Sequence, residues 1–406
     1  MTLPPRVATP LPLSRRLAAA PHRLLFLLGA CQLLAGLLWW GFALEARLDG
    51  LPGPDAIPGA AAHGWLMFYG LFPFYIFGFL FTALPNWVEH GRVPPATYLT
   101  SAGLLGLGVL LFYPGLSIPG LAGLAALIHA LGFGLGLQGL WQLLRGSRQP
   151  DLRQPWLAWS ACLAGLIGEL VFAWGALIDQ AEGLRIGLII AAWGFLAPLF
   201  LAVCHRMVPF FTSRVVKNYV MVRPYAPLGW MVAACLGHGF LESLALYRWT
   251  WLVDLPLAGI TVWFISRWGI ARALPERLLA MLHIAFVWAA IAFALHGLDS
   301  LLAGRLGLAP LHALGIGFFA SMLLAMASRV SLGHSGRPLK ADRLTWMLFW
   351  GVQGAAVLRM APDLFPDWIP VRAMSLSGLV WLLAFGLWVV RYAPLSWRAR
   401  ADGKPG

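Results

Sequence analysis

Long apolar stretches separated by short polar gaps run through the whole chain. A helix needs about 20 apolar residues to cross the ~30 Å hydrocarbon core of a bilayer. The apolar residues do not alternate with polar ones as they do in transmembrane strands. The pattern therefore predicts an all-α, polytopic membrane protein with twelve transmembrane helices. These helices are expected at residues 24–44, 63–84, 97–113, 118–144, 156–178, 184–206, 227–247, 249–268, 278–298, 311–330, 342–360 and 370–391.

The gaps between these segments are too short to hold a soluble domain. We therefore expect an N-terminal tail at residues 1–22, a single membrane domain over residues 23–392 and a C-terminal tail at residues 393–406. Pro73 and Pro198 lie inside predicted spans. Because proline lacks the backbone N–H that a helix interior needs, both spans should be kinked there.

Composition excludes a soluble enzyme. Of the 406 residues, 60% are hydrophobic and only 11% are charged, whereas soluble domains carry about 25% charged residues. The net charge of +13 would suit nucleic acid, but the basic residues lie in the gaps between apolar runs. That placement is typical of membrane topology, so we expect membrane lipids as partners and no nucleic acid.

The distribution of the basic residues predicts the orientation of the chain. If the N-terminus is cytoplasmic, the inner gaps hold all but six of the 29 Lys and Arg residues. Cytoplasmic loops carry the excess of Lys and Arg, so both termini are predicted on the cytoplasmic side. The six on the outer side are Arg47, Arg185, Arg248, Arg305, Arg359 and Arg372.

This orientation assigns a depth to each histidine. His63 and His312 each begin a span at the outer face, so both can reach one iron if the two spans are neighbours. We expect them to be the axial pair of a haem. His205, His283 and His334 share the inner face and form a candidate copper site, because imidazole is a common copper ligand. For each histidine the alternative is a side chain satisfied by a backbone carbonyl or by water.

Two intramembrane carboxylates are unusual, because ionisable groups are costly in a bilayer. Glu169 lies in the middle of the fifth predicted span, and Glu242 lies one turn after His238 on the same helix face. A polar pair that holds helices together is one interpretation. A proton relay is the other, and it predicts that these three side chains face the bundle interior on the path toward His63 and His312.

The inner end of the tenth predicted span carries two arginines, Arg329 and Arg337. Gly333 and Gly336 permit tight turns beside them. An arginine fork clamps carboxylates, so this segment is expected to bind a haem propionate or an anionic lipid headgroup. A plain positive-inside anchor is the alternative.

Three stretches of the chain contain these histidines and arginines. They are His63-Gly-Trp-Leu-Met-Phe-Tyr-Gly70 with Gly78-Phe-Leu-Phe-Thr-Ala-Leu-Pro-Asn-Trp87, then His205-Arg-Met-Val-Pro-Phe-Phe-Thr212, and finally His312-Ala-Leu-Gly-Ile-Gly with Met326-Ala-Ser-Arg329 and Leu332-Gly-His-Ser-Gly-Arg-Pro-Leu339. Together they resemble the NnrS family of bacterial inner-membrane proteins. The resemblance implies a twelve-span protein that contains haem and copper and is linked to nitric oxide stress and denitrification. Many members carry His-Ala-His-Glu-Met where this chain reads Ala61-Ala62-His63-Gly64-Trp65.

The resemblance implies a haem-containing inner-membrane protein that acts in the response to nitric oxide or nitrosative stress. Such a protein either binds the gas or, as an oxidoreductase, reduces it with electrons from a quinol or another donor. A metal-free transporter or channel is the alternative from another class, although the chain shows no half-to-half repeat of the kind common in transporters. An assembly or regulatory partner in metal homeostasis is a third alternative.

Overall fold

A computed structural model describes residues 12–53 and 55–403 of the chain. Three short stretches lie outside it, namely residues 1–11, Pro54 and residues 404–406. Arg6 and Lys404, which belong to the two predicted tails, fall in these stretches. Within the described residues the secondary structure is helical and includes no strand, which confirms the all-α class.

The helices follow one another with short connections. They are α1 (Leu13–Leu17), α2 (Pro21–Leu48), α3 (Gly59–Phe68), α4 (Phe72–Val88), α5 (Pro95–Gly115), α6 (Leu121–Arg145), α7 (Arg153–Leu177), α8 (Ala181–Ile189), α9 (Ala197–Val215), α10 (Tyr225–Ser243), α11 (Trp251–Arg267), α12 (Ile270–Ala273), α13 (Arg277–Leu301), α14 (Ala309–His312), α15 (Ser321–His334), α16 (Arg343–Leu364) and α17 (Ala373–Tyr392). One π-helical segment, Ile190–Leu196, joins α8 to α9, and another, Ala313–Ala320, joins α14 to α15. Short 3₁₀ turns occur at Tyr247–Trp249 and Ala393–Ser396.

Membrane-spanning length and apolarity are found along most of the chain. In the part that the structure describes, nine helical stretches are long and apolar enough to cross a membrane. They coincide with nine of the twelve predicted segments. The other three predicted segments correspond to α10, α11 and α16, which are helical but fall short of the same length or hydropathy. The chain is thus a multi-span helical membrane protein, and the full number of twelve spans stays a prediction.

Three of the nine long stretches are interrupted. Gly59–Val88 breaks between α3 and α4, and Ala181–Val215 and Ala309–His334 each contain a π-helical segment. Pro73 lies in the first turn of α4 and Pro198 in the first turn of α9, so each follows an interruption. A proline ring clashes with the carbonyl four residues before it, and a π-bulge accommodates such a defect. The prolines therefore interrupt the spans rather than bend continuous helices.

The interrupted stretches pack against one another in the interior. Consecutive helices pair along the chain, as α5 does with α6 and α6 with α7, and α17 returns to pack on α2. Across the bundle, α4 contacts α15, and Phe72 meets Phe319 of the second π-helical segment edge-on with ring centroids 5.9 Å apart. The two stretches that begin near His63 and His312 are therefore neighbours.

Candidate functional site

His63 and His312 lie within electrostatic range of each other. His63 lies on α3 and His312 ends α14. The two side chains are close enough to interact electrostatically, and both also interact with Arg359 of α16. The ring of His63 stacks on Trp40 of α2, with ring centroids 4.1 Å apart and an interplanar angle of 15°. We call His63, His312, Arg359 and Trp40 the outer-face site, after the side of the membrane that the Lys and Arg distribution predicts for them.

The two histidines of the outer-face site differ in their hydrogen bonds. His312 Nδ1–H donates to the Leu308 carbonyl at 2.9 Å, which leaves the lone pair of Nε2 available as a ligand. This is the arrangement expected of a metal-ligating imidazole. His63 Nδ1 is buried and has no partner among the described residues. A buried nitrogen left unpaired costs about 1–3 kcal/mol, so His63 retains an unused polar atom that a ligand would satisfy.

Arg359 was not among the residues expected at this site. The sequence placed it on the outer side by charge counting alone. In the structure it forms an ion pair with Asp363, one turn later on α16, at 2.8 Å. The sequence signal that could have grouped Arg359 with His63 and His312 is their shared predicted depth in the membrane.

A second cluster is fully buried between α6 and α7. His129 Nδ1 lies 2.6 Å from Glu169 Oε1, and both side chains have no exposed surface. The ring of Trp65 meets His129 edge-on at 5.3 Å. The space for His129 comes from Gly108 of α5, where a Cβ would lie only 2.5 Å from the Cβ of His129. We call His129 and Glu169 the closed pair.

A third cluster joins α10 and α11. His238 Nδ1 lies 2.7 Å from Asp254 Oδ1, and His238 Nε2 lies 3.3 Å from Glu242 Oε2. Trp193, in the first π-helical segment, stacks on the His238 ring at 3.6 Å, and His296 meets that ring edge-on at 5.1 Å. We call Asp254, His238 and Glu242 the acid–imidazole–acid assembly.

The geometry of this assembly leaves room for one further proton. His238 Nδ1 is hydrogen-bonded to Asp254 Oδ1, and His238 Nε2 faces Glu242 Oε2. A neutral imidazole has one N–H and one lone pair, so both contacts become hydrogen bonds only when a second proton lies on the imidazole or on a carboxyl. The assembly is therefore a candidate proton-binding group.

The three expected proton carriers do not form one set. Glu242 and His238 belong to the assembly, as their spacing on one helix face predicted. Glu169 instead pairs with His129 on a different pair of helices. Asp254 was missed, although an acidic residue inside an apolar segment is itself an indication of function.

The inner-face histidines have separate partners. His205 Nε2–H donates to the Pro224 carbonyl at 3.0 Å, and His205 Nδ1 accepts from Gln154 Nε2 at 2.6 Å. The two remaining histidines pair elsewhere, with His283 Nε2–H donating to Thr212 Oγ1 at 3.0 Å and the His334 ring 4.7 Å from that of His22.

The three expected copper ligands, His205, His283 and His334, therefore each have a different partner. Over residues 12–53 and 55–403, no group of three or more His, Cys, Asp or Glu side chains is arranged to hold a metal ion. Equal depth does not by itself bring helices side by side, and these three histidines have different neighbours. A copper site built from them stays a prediction.

The two inner-face arginines keep unused donors. Arg329 is buried, its guanidinium lies over the Phe211 ring at 3.9 Å, and its Nε has no partner in the described chain. Arg337 Nη1 is likewise buried and unpaired among those residues. However, Arg329 follows His312 by roughly 25 Å of helix at about 1.5 Å per residue. The expected propionate role beside His312 therefore does not fit Arg329, and the cation next to the histidines is Arg359.

Comparison with known families identifies the chain at the family level. A model described as NnrS protein matches residues 16–400. The chain belongs to the NnrS family. A comparison with curated proteins finds no match. The three stretches that resemble the NnrS family contain His63 on α3, His205 on α9 and His312 on α14, so each lies in one of the three interrupted spans.

The packing around Gly64 and Trp65 explains why this NnrS-family chain has these two residues after His63. Gly64 stands where many members have Glu, and a Cβ there would lie 2.8 Å from Leu188. A longer side chain would require Leu188 to move. Trp65 occupies the position of the following Met and stacks on Phe112 at 3.8 Å, beside His129. In this chain the segment after His63 therefore packs against the closed pair.

Proposed function

We propose that this NnrS-family chain is a haem-containing protein of the bacterial inner membrane that acts in the response to nitric oxide and nitrosative stress. Family membership and the apolar helices support the membrane role. The excess of Lys and Arg in alternate gaps supports twelve spans with both termini cytoplasmic. The observation that carries the haem proposal is that His63 and His312, on neighbouring helical stretches, lie close enough to interact electrostatically.

The residues of the outer-face site fit a haem. His312 offers Nε2 while its Nδ1–H is held by a carbonyl, and His63 has a buried ring nitrogen without a protein partner. Trp40 restrains the His63 ring by stacking, and Arg359 supplies a cation for a propionate. When bound, the haem would supply an iron that binds nitric oxide and accepts electrons from a quinol or another donor.

The inner-face arginines suit a different ligand. Arg329 and Arg337 keep N–H donors at the opposite end of the tenth span from His312. Basic groups at the cytoplasmic side of a membrane attract anionic headgroups. We assign these two side chains to lipid phosphate, in place of the haem propionate.

Proton supply matters if nitric oxide is reduced rather than only bound. Its oxygen then leaves as water, so protons must reach the site of reduction. The assembly of Asp254, His238 and Glu242 places carboxyl oxygens against both ring nitrogens of an imidazole, and general acids and bases of this kind accelerate reactions by about 10²–10⁴-fold. We assign proton delivery to this assembly. The closed pair contacts the α3 segment through Trp65.

The visible spectrum of the purified protein tests the haem proposal. Wild type should show a Soret band, and His63→Ala or His312→Ala should lose it because each removes one ligand. His90→Ala is the matched control, since His90 is exposed in the loop after α4, and it should leave the spectrum unchanged. An unaltered band in both ligand variants, or no band in wild type, would overturn the proposal.

A further inference from the structure

An apolar pocket lies between α2, α4, α9 and α15, apart from the clusters described above. Its volume is about 70 Å³. Buried side chains form its floor, including Phe72, Leu199 and Met322. Half-buried side chains form its mouth, including Phe79, Val203 and Met326. The pocket is thus a depression that is closed on the protein side and open on the other.

The mouth faces hydrocarbon rather than water. Its residues lie on three stretches that are long and apolar enough to cross a membrane, and each of the three named above is apolar. Met322 follows His312 by roughly 15 Å at about 1.5 Å of helix per residue. The pocket therefore opens sideways within the bilayer, inward of the outer-face site and along the same helical stretch.

The size of the pocket selects its occupant. An apolar cavity of about 150 Å³ stays free of water and takes up benzene or xenon, whereas a water molecule occupies about 30 Å³ of liquid. A pocket of about 70 Å³ therefore cannot enclose an aromatic or quinone ring, whereas a diatomic molecule fits inside it. Apolar gases also prefer hydrocarbon to water, since their transfer out of water is favourable.

We propose that this pocket takes up an apolar diatomic gas directly from the bilayer, and that the gas is nitric oxide. The identity of the gas rests on the proposed function, whereas the preference for a small apolar molecule rests on the pocket alone.

Xenon tests the pocket without reference to haem. Crystals or nanodisc samples of the full chain under xenon pressure should show xenon bound between Leu199 and Met322. Val203→Phe fills the mouth and should weaken xenon binding about tenfold, which corresponds to about 1.4 kcal/mol. The matched control is Val262→Phe, on the exposed side of α11 where Val262 is 56% exposed, and it should bind xenon like wild type.

A second variant keeps the test decisive if Val203→Phe fails to fold. Leu199→Ala enlarges the floor and should raise xenon occupancy. Absence of xenon from the wild-type pocket, or equal occupancy in wild type and the folded pocket variants, would overturn the proposal.

Nitric oxide capture by haem-loaded protein after flash photolysis tests the identity of the gas. Val203→Phe should slow capture several-fold, and the control Val262→Phe should capture nitric oxide like wild type. Unchanged capture in a variant that has lost xenon would overturn the assignment to nitric oxide. If no haem is bound, the proposed function fails while the xenon result still decides the pocket.

Discussion

The closed pair and the acid–imidazole–acid assembly are both buried imidazole–carboxylate clusters, but they differ in their access to the surface. In the closed pair, His129 and Glu169 are completely buried and lie 2.6 Å apart. In the assembly, the Glu242 side chain is 28% exposed, His238 is 5% exposed and Asp254 is fully buried. The assembly therefore runs from the protein surface into the interior, whereas the closed pair has no exposed member.

This difference separates packing from proton transfer. A charged or polar pair without exposed atoms exchanges protons slowly, because no member meets water or another acid at the surface. Removing one partner of such a pair leaves the other buried and unpaired, which is strongly destabilising. A cluster with a partly exposed carboxyl loses less stability on substitution, and that carboxyl can exchange protons with the surface. We therefore assign helix packing to Glu169 and proton exchange to Glu242 and Asp254.

The largest effect is expected in the closed pair. Glu169→Ala should lower the free energy of unfolding by about 3–5 kcal/mol, because His129 would stay buried without its partner. Glu242→Ala should cost about 0–1 kcal/mol, since Glu242 is partly exposed and its contact is longer. Denaturant or thermal unfolding in detergent measures both changes. Similar losses in the two variants would remove the distinction between the clusters.

A smaller effect is expected on the rate of nitric oxide turnover. Here substitutions in the acid–imidazole–acid assembly should cost more than a substitution in the closed pair. If the protein reduces nitric oxide, Glu242→Gln and Asp254→Asn should slow steady-state consumption by about 10²-fold, as the loss of a general acid or base does. Glu169→Gln keeps a hydrogen-bonding group of the same shape and should retain most of the rate.

The assay supplies a quinol or an artificial electron donor and records nitric oxide with an electrode. Haem-loaded wild type that consumes no nitric oxide would leave only the gas-binding form of the proposal. Equal rates in wild type and both assembly variants would remove these carboxylates from the mechanism.

The smallest effect is expected at an exposed cluster outside the spans. Arg153 donates to Asp151 at 2.9 and 3.1 Å, and the Tyr225 hydroxyl donates to it at 2.7 Å. The hydrogen bonds from Arg153, and then the one from Tyr225, hold the pKa of the Asp151 carboxyl well below its usual range. A lowered pKa in the folded state contributes stability above the unfolded pKa of about 4, and that contribution is lost as the pH falls toward the folded value.

Asp151→Asn should therefore remove less than about 1 kcal/mol at neutral pH, because the Asp151 side chain is exposed and screened by solvent. The difference from wild type should shrink further as the pH drops below about 4. Unfolding midpoints at neutral and acid pH measure this change. A loss as large as that of Glu169→Ala would show that exposure is a poor guide to the strength of these contacts.

Several site features followed from the sequence because they depend on position along one helix. His63 and His312 were placed at the same end of two spans from the apolar pattern and the Lys and Arg distribution. His238 and Glu242 were placed on one face from their spacing of one turn. Asp254 was equally accessible to this reasoning, since it lies near the start of an apolar segment, but it was not singled out.

Other features depend on how helices are rotated and which helices are neighbours. The pairing of His129 with Glu169 joins residues of two helices, and the hydrogen bonds of His205 and His283 involve side chains from other parts of the chain. Interhelical contacts of this kind are set by the close packing of many side chains at once. Matching depth in the membrane reduced the number of candidate site residues, but it did not show which of these residues contact one another.

The apolar runs alone were sufficient to show a multi-span helical membrane protein, because a helix in hydrocarbon must satisfy its backbone and cover its surface within a single segment. The partners of the intramembrane polar groups became visible only in the folded chain. Asp254 pairs with His238, and Glu169 pairs with His129. The three histidines predicted to share a copper ion, namely His205, His283 and His334, have separate partners instead. Each outcome depends on the lateral arrangement of helices. That arrangement is a property of the whole bundle, and no single segment encodes it.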